Sequence, residues 1–133
     1  MKRLFSATLL VLTVLTVILI LPGAARSQWP PVCKESSLPS HDPKYPEDQL
    51  IIICMPPDWN GQLVMYAHGY VPPQFPLALP VNELTVGGVF IPSAFIAQNF
   101  AFATTSFHKN GVAIEQGAKD LNRLLQEFNL NPA

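Results

Sequence analysis

Metal-binding side chains are scarce in this chain: two of its 133 residues are cysteine and three are histidine. Cys33, Cys54, His41, His68 and His108 share no spacing that a zinc site uses, so no metal or other cofactor is expected. Cationic charge is scarce as well. Of the eight Lys and Arg residues, Lys2, Arg3 and Arg26 fall in the first 27 positions. The remainder holds five basic residues against nine acidic ones, a formal charge of about −4. No basic patch is left, which argues against nucleic acid as a partner. No internal repeat is visible. No Gly-x-Ser-x-Gly occurs, so the sharp turn that presents an activated serine is missing.

The one long apolar run lies at the start. Lys2 and Arg3 precede an apolar stretch over residues 4–21, broken only by Ser6, Thr8, Thr13 and Thr16. Pro22-Gly23 then ends any helix, and Ala24-Ala25-Arg26-Ser27 supplies small residues. This basic, apolar, small-residue order is that of a secretory signal, residues 1–27, cut after Ala25 or Ser27. The expected location is secreted or periplasmic. An uncleaved leader is the alternative and would make the protein membrane-anchored. Without the leader, roughly a hundred residues remain, one small domain and about half of an ordinary α/β enzyme core. Cys33 and Cys54 would then lie in an oxidising compartment. Their separation is compatible with a disulfide and equally with two separate thiols.

Residues 28–48 carry Pro30, Pro31, Pro39, Pro43 and Pro46 and read as an irregular arm. Residues 49–133 read as the folded part. A β-branched run at 50–55 predicts a first strand, and Pro56-Pro57-Asp58-Trp59-Asn60-Gly61 a turn. Residues 62–67 are apolar in succession rather than alternately, which predicts a strand buried on both faces. Four prolines over 71–80 exclude a helix or a central strand. A turn is expected at Gly87-Gly88. A short helix is expected over 91–98, with Pro92 near its start and Asn99 as a left-handed stop. Residues 100–107 predict a third strand, its small side chains on one face and Phe100 and Phe102 on the other. A helix over 112–128 would bury Ile114, Ala118, Leu121, Leu125 and Phe128 as one stripe. Glu115 and Lys119 make an i,i+4 pair on its polar side. Gly117 costs that helix about 1 kcal/mol relative to Ala, which close approach to the sheet would explain. Helices on alternating connections imply an α/β fold with a mainly parallel sheet.

The segment Trp59-Asn60-Gly61-Gln62-Leu63-Val64-Met65-Tyr66-Ala67-His68-Gly69-Tyr70 resembles the early strands and His-Gly loop of secreted α/β-hydrolases of the serine esterase and amidase type. Residues 100–111, followed by Gln116-Gly117 and Asp120, look like the next strand and helix of that group. The resemblance spans roughly residues 49–129 and implies the amino-terminal part of such a domain: a truncated α/β-hydrolase-like sheet of about three strands with flanking helices. It further implies that the strand at 50–55 runs antiparallel to the others and that the strand at 100–107 lies between the other two. The nucleophile elbow, the acid and the general-base histidine are absent from the chain, so no catalytic residue is assigned.

The resemblance makes Gly69 and Tyr70 the candidate oxyanion donors, through their backbone N–H groups. An ordinary tight turn is the plainer reading. His68 is expected to orient that loop by a side-chain hydrogen bond. Ser106 and His108, two apart on a strand end, are expected at the pocket rim rather than as a nucleophile and base. Asp120 is expected to make a local hydrogen bond or to pair with Arg123. Tyr66, Phe75, Phe95 and Phe107 are expected as packing residues. The implied partner is a small ester or amide substrate. The open edge of the strand at 62–67 predicts self-association. A non-catalytic exported or membrane-anchored interaction protein is the alternative function.

Overall fold

The computed structural model describes residues 28–40 and 42–131. The leader, with its signal or anchor reading, and His41 lie outside the described residues. Two strands sit where apolar runs place them. Strand β2 (Gln49–Cys54) and strand β6 (Ala101–Thr105) are buried almost throughout. They pair antiparallel, with Ile51 opposite Thr105 and Cys54 opposite Phe102. Strand β3 (Leu63–Tyr66) joins the other side of β6 in parallel, Leu63 opposite Ala101. The order β2-β6-β3 and the reversed direction of β2 agree with what the resemblance implies for these three strands.

Two further features overturn the mainly parallel α/β fold. Residues 28–48 are not an irregular arm, because β1 (Cys33–Leu38) pairs antiparallel with β2 from Cys33↔Cys54 to Leu38↔Gln49. The prolines bracket this segment and none falls inside it, so they shape its ends without breaking the ladder. Its Lys34, Glu35, Ser36 and Ser37 are exposed, a polar edge that discourages pairing with other chains. A hairpin of β4 (Thr85–Val86) and β5 (Val89–Phe90) forms a separate two-stranded sheet, turned by Gly87 and Gly88, both at positive φ. The sheet is therefore four-stranded and mixed, β1-β2-β6-β3, with antiparallel pairs at two of its three seams. Only the β3-to-β6 connection is a crossover carrying a helix. Among the described residues, no strand after the long helix pairs in parallel with β3.

Alternation along the strands sorts the core into two faces. Ile51, Ile53, Ala101 and Ala103 point to one side, where Leu124 and Phe128 of α2 (Ile114–Leu130) cover them. The two alanines are small enough to admit the helix, as their pattern implies. Ile52, Cys54 and Phe102 point to the other side, under Trp29, Leu84 and partly buried Phe90, Phe95 and Ile96. That layer is supplied by a 3₁₀ turn (Val81–Leu84), the hairpin and α1 (Ile91–Ile96). Asn99 ends this segment at φ 63°, the left-handed stop expected of it.

Two expectations about burial are corrected. Strand β3 is half-buried throughout, not enclosed on both faces, because it forms the sheet's edge. The stripe on α2 is also rotated. Gly117, Asp120, Leu124 and Phe128 are buried, while Ile114 is 84% and Leu125 40% exposed. Cys33 and Cys54 form a disulfide between directly opposed positions of β1 and β2, which is compatible with an exported protein.

Candidate functional site

The carboxyl ends of the parallel strands β3 and β6 lie side by side, the place where open sheets hold ligands. Strand β3 runs out into Ala67-His68-Gly69-Tyr70, and β6 into Ser106-Phe107-His108-Lys109. The His68 ring ties the two exits together. Its Nε2 lies 3.0 Å from the Ser106 carbonyl oxygen and its Nδ1 lies 2.8 Å from that of Gly69. Farther out, the Gly111 N–H donates to the Val71 carbonyl at 2.8 Å, and Asn110 Nδ2 donates to that of Phe75 at 2.8 Å. Both neighbours are carbonyl acceptors, so the single N–H of a neutral His68 donates to one of them.

Phe107 is the strained residue of this corner. Its φ is 55°, in the left-handed region that an aromatic side chain enters at a cost of about 1–3 kcal/mol. Three contacts hold it there. Its N–H donates to Thr105 Oγ1 at 3.2 Å, and Ser106 Oγ donates to its carbonyl at 2.6 Å. Its ring stacks on His68 with centroids 4.2 Å apart. Gly117 leaves room for that ring, since a Cβ there would lie 3.2 Å from two of its carbons.

This contact yields a test. Gly117→Ala gains about 1 kcal/mol of helix propensity but overpacks a ring that His68 and two backbone hydrogen bonds restrain, at about 1–3 kcal/mol. Overpacking wins, and the variant should be less stable by about 1 kcal/mol, read as a lower urea midpoint at constant slope. A stabilised Gly117→Ala would show that Phe107 yields freely.

Above this corner lies a cleft of about 480 Å³, lined by Gly69, Tyr70, Phe107, Lys109, Ala118 and Leu121 among others. Among the described residues, the amides of Gly69 and Tyr70 donate to no other group. Gly69 has no need of special backbone freedom, and a Cβ there would meet nothing within 4 Å.

The remaining expected site residues lie elsewhere. Ser106 is fully buried and not at a rim. Its hydroxyl donates to Phe107 and accepts the Leu50 N–H at 3.0 Å, so both of its functions are engaged within the fold. His108 is also buried and lines a different cleft, beside Tyr45. Asp120 is enclosed rather than paired at the surface. Its Oδ2 accepts from the His108 backbone N–H at 2.9 Å and lies 2.6 Å from His108 Nδ1, while Arg123 stands 4.0 Å from Oδ1. A carboxylate behind an imidazole is the orienting half of a catalytic triad, but Ser106 Oγ is committed elsewhere and completes no triad.

Tyr66 packs against the sheet and donates to Glu83 Oε2 at 2.8 Å; burial, then Glu83, pushes its phenol up. The Lys119 ammonium holds the Glu115 carboxyl below its usual range across an exposed 2.7 Å pair. Among the described residues, no group of three or more His, Cys, Asp or Glu is placed to hold a metal ion. No helix among them is long and apolar enough to cross a membrane. The positive φ of Phe107 and the Tyr45 cleft escaped sequence reading, because neither has a local residue signal. No family model, curated protein or solved structure matches this chain.

Proposed function

We propose that this chain supplies the oxyanion-binding loop of a serine-type ester or amide hydrolase whose nucleophile comes from another polypeptide segment. One observation carries the reading: two amides that donate to no other described residue, Gly69 and Tyr70, line an apolar cleft at the ends of two parallel strands. Such donors stabilise the charge that develops on a carbonyl oxygen during acyl transfer. The resemblance of residues 59–70 to the His-Gly loop of secreted hydrolases supports the same chemistry.

The test uses hexylphosphonate, an apolar oxyanion, followed by amide NMR on the purified chain. The Gly69 and Tyr70 signals should shift saturably. Gly69→Ala, which fits the fold without contact, should weaken binding about tenfold, or about 1.4 kcal/mol. Unmoved amides at both positions would remove the basis of the reading. A fluorophosphonate should label nothing on the chain, and an adduct on Ser106 would reassign the nucleophile.

A second reading, an interaction protein, is favoured by exposed apolar surface. The outer edge of β3 pairs with no described strand, and Val112, Ile114 and Leu130 are largely exposed. A bare edge of this kind pairs readily with another copy. Gel filtration at rising concentration should show association, and a monodisperse monomer throughout would count against it.

A further inference from the structure

A second cleft, of about 220 Å³, lies between the 42–47 loop and the exit of β6. Two lysines converge there on one phenol. Lys109 Nζ donates to Tyr45 Oη at 3.2 Å and stands 4.6 Å from the ring centroid. Lys44 Nζ stands 5.4 Å from the same centroid. The ring face attracts both cations but neutralises neither. Among the described residues, no carboxylate lies within 4.0 Å of either ammonium. An anion that reached both would meet two cations that no described carboxylate neutralises.

The main chain of the loop that carries Lys44 and Tyr45 is held in place. Lys44 N–H donates to Asp42 Oδ1 at 2.9 Å, Tyr45 N–H to the Asp42 carbonyl at 2.9 Å, and Ser40 Oγ to the Tyr45 carbonyl at 2.5 Å. The Tyr45 oxygen already accepts from Lys109, so its own O–H remains to donate outward. The Lys109 hydrogen bond, followed by the smaller influence of Lys44, holds this phenol below its usual range. Pro46, Pro73, Phe75 and Leu77 form apolar walls. Glu47 lines the same space and penalises a dianion more than a monoanion.

We propose that this cleft binds a small organic monocarboxylate, its carboxylate among Lys44, Lys109 and the Tyr45 hydroxyl and its hydrocarbon part against Pro73, Phe75 and Leu77. The site goes beyond the Gly69 reading: Lys109 borders both clefts, but Lys44 and Tyr45 border this one and not the Gly69 cleft. A cleft of this size suits an acid of benzoate's bulk rather than a drug-sized ligand.

The experiment titrates the purified chain with benzoate, with inorganic phosphate in parallel, and follows the side-chain NMR signals of Tyr45 and Phe75. Benzoate should bind saturably and move the Tyr45 phenol ionisation upward, toward its ordinary value. Lys109→Met should weaken it about tenfold, the loss of one charge-assisted hydrogen bond, with the melting curve unchanged because the side chain is not in the core. Tyr45→Phe should weaken it less. Benzoate binding that ignores Lys109→Met would overturn the proposal. So would phosphate binding as tightly as benzoate, which would mark unselective charge attraction, or benzoate that moves only Gly69 and Tyr70.

Discussion

Asp120→Ala should cost about 3–5 kcal/mol of folding stability, since each of the two buried donors left without an acceptor costs about 1–3 kcal/mol. The carboxylate is fully enclosed and serves His108 twice, at the backbone N–H and at Nδ1. Alanine would leave a buried amide hydrogen and a buried imidazole without this acceptor. The effect spreads beyond His108. Gln49 Nε2 donates to the Asp120 carbonyl at 2.9 Å and to Thr105 Oγ1 at 2.9 Å, while Arg123 Nη1 donates to Gln49 Oε1 at 3.2 Å. One polar network thus locks α2 to β2 and β6. A small domain has only about 5–15 kcal/mol in total, so the variant should sit near its folding threshold. Asp120→Asn keeps the shape and one acceptor and should lose about half as much, because the charge assistance goes while the N–H contact stays. Urea denaturation of the two variants checks both values. An alanine cost under about 1 kcal/mol would show that the pair contributes little to the fold.

That network marks the limit of what the sequence discloses. Hydropathy reads the period of α2 correctly and its face incorrectly. The apolar residues Ile114, Ala118, Leu121, Leu125 and Phe128 suggest one buried stripe, and Phe128 is buried, yet the helix turns toward the sheet on Gly117, Asp120 and Leu124. Gly117 allows close approach to the Phe107 ring, and a buried aspartate is invisible to any apolar pattern. The central strands were legible because β2 and β6 are continuous apolar or small runs with alternating faces. Strand β1 was not, because an exposed edge strand needs polar side chains and so resembles a loop. The alternation of helices with strands suggests a parallel sheet, but only β3 and β6 pair that way. For the site, His-Gly at the end of an apolar strand pointed to the loop, and the structure sets a cleft beside it. Tyr45 and Lys109 are 64 positions apart, and only the tertiary fold brings them together.

The disulfide supplies the other large expected effect. Replacing both cysteines with alanine should lower stability by about 3 kcal/mol in the chain-entropy account, or about 12–24 °C in melting temperature for a domain of this size. Cys33 and Cys54 are 21 positions apart, so the bond shortens a moderate loop in the unfolded chain. It also pins an edge strand with little else to hold it. Only Cys33 and Leu38 of β1 are even partly buried, and its ladder reaches β2 alone. The single variants separate the two contributions. Each loses the same bond, but Cys54 is fully buried against Ile52 and Phe102, whereas Cys33 lies at the margin. Cys54→Ala should therefore cost about 1 kcal/mol more than Cys33→Ala, for its lost core contacts. The double variant should cost scarcely more than Cys54→Ala, since residues sharing one interaction do not add. In hydrogen exchange the β1 amides should lose protection before those of β2 and β6, by opening locally from the edge. A double variant that melts within about 3 °C of the parent, or β1 amides that stay protected as long as those of β6, would show that cross-strand pairing alone holds this strand.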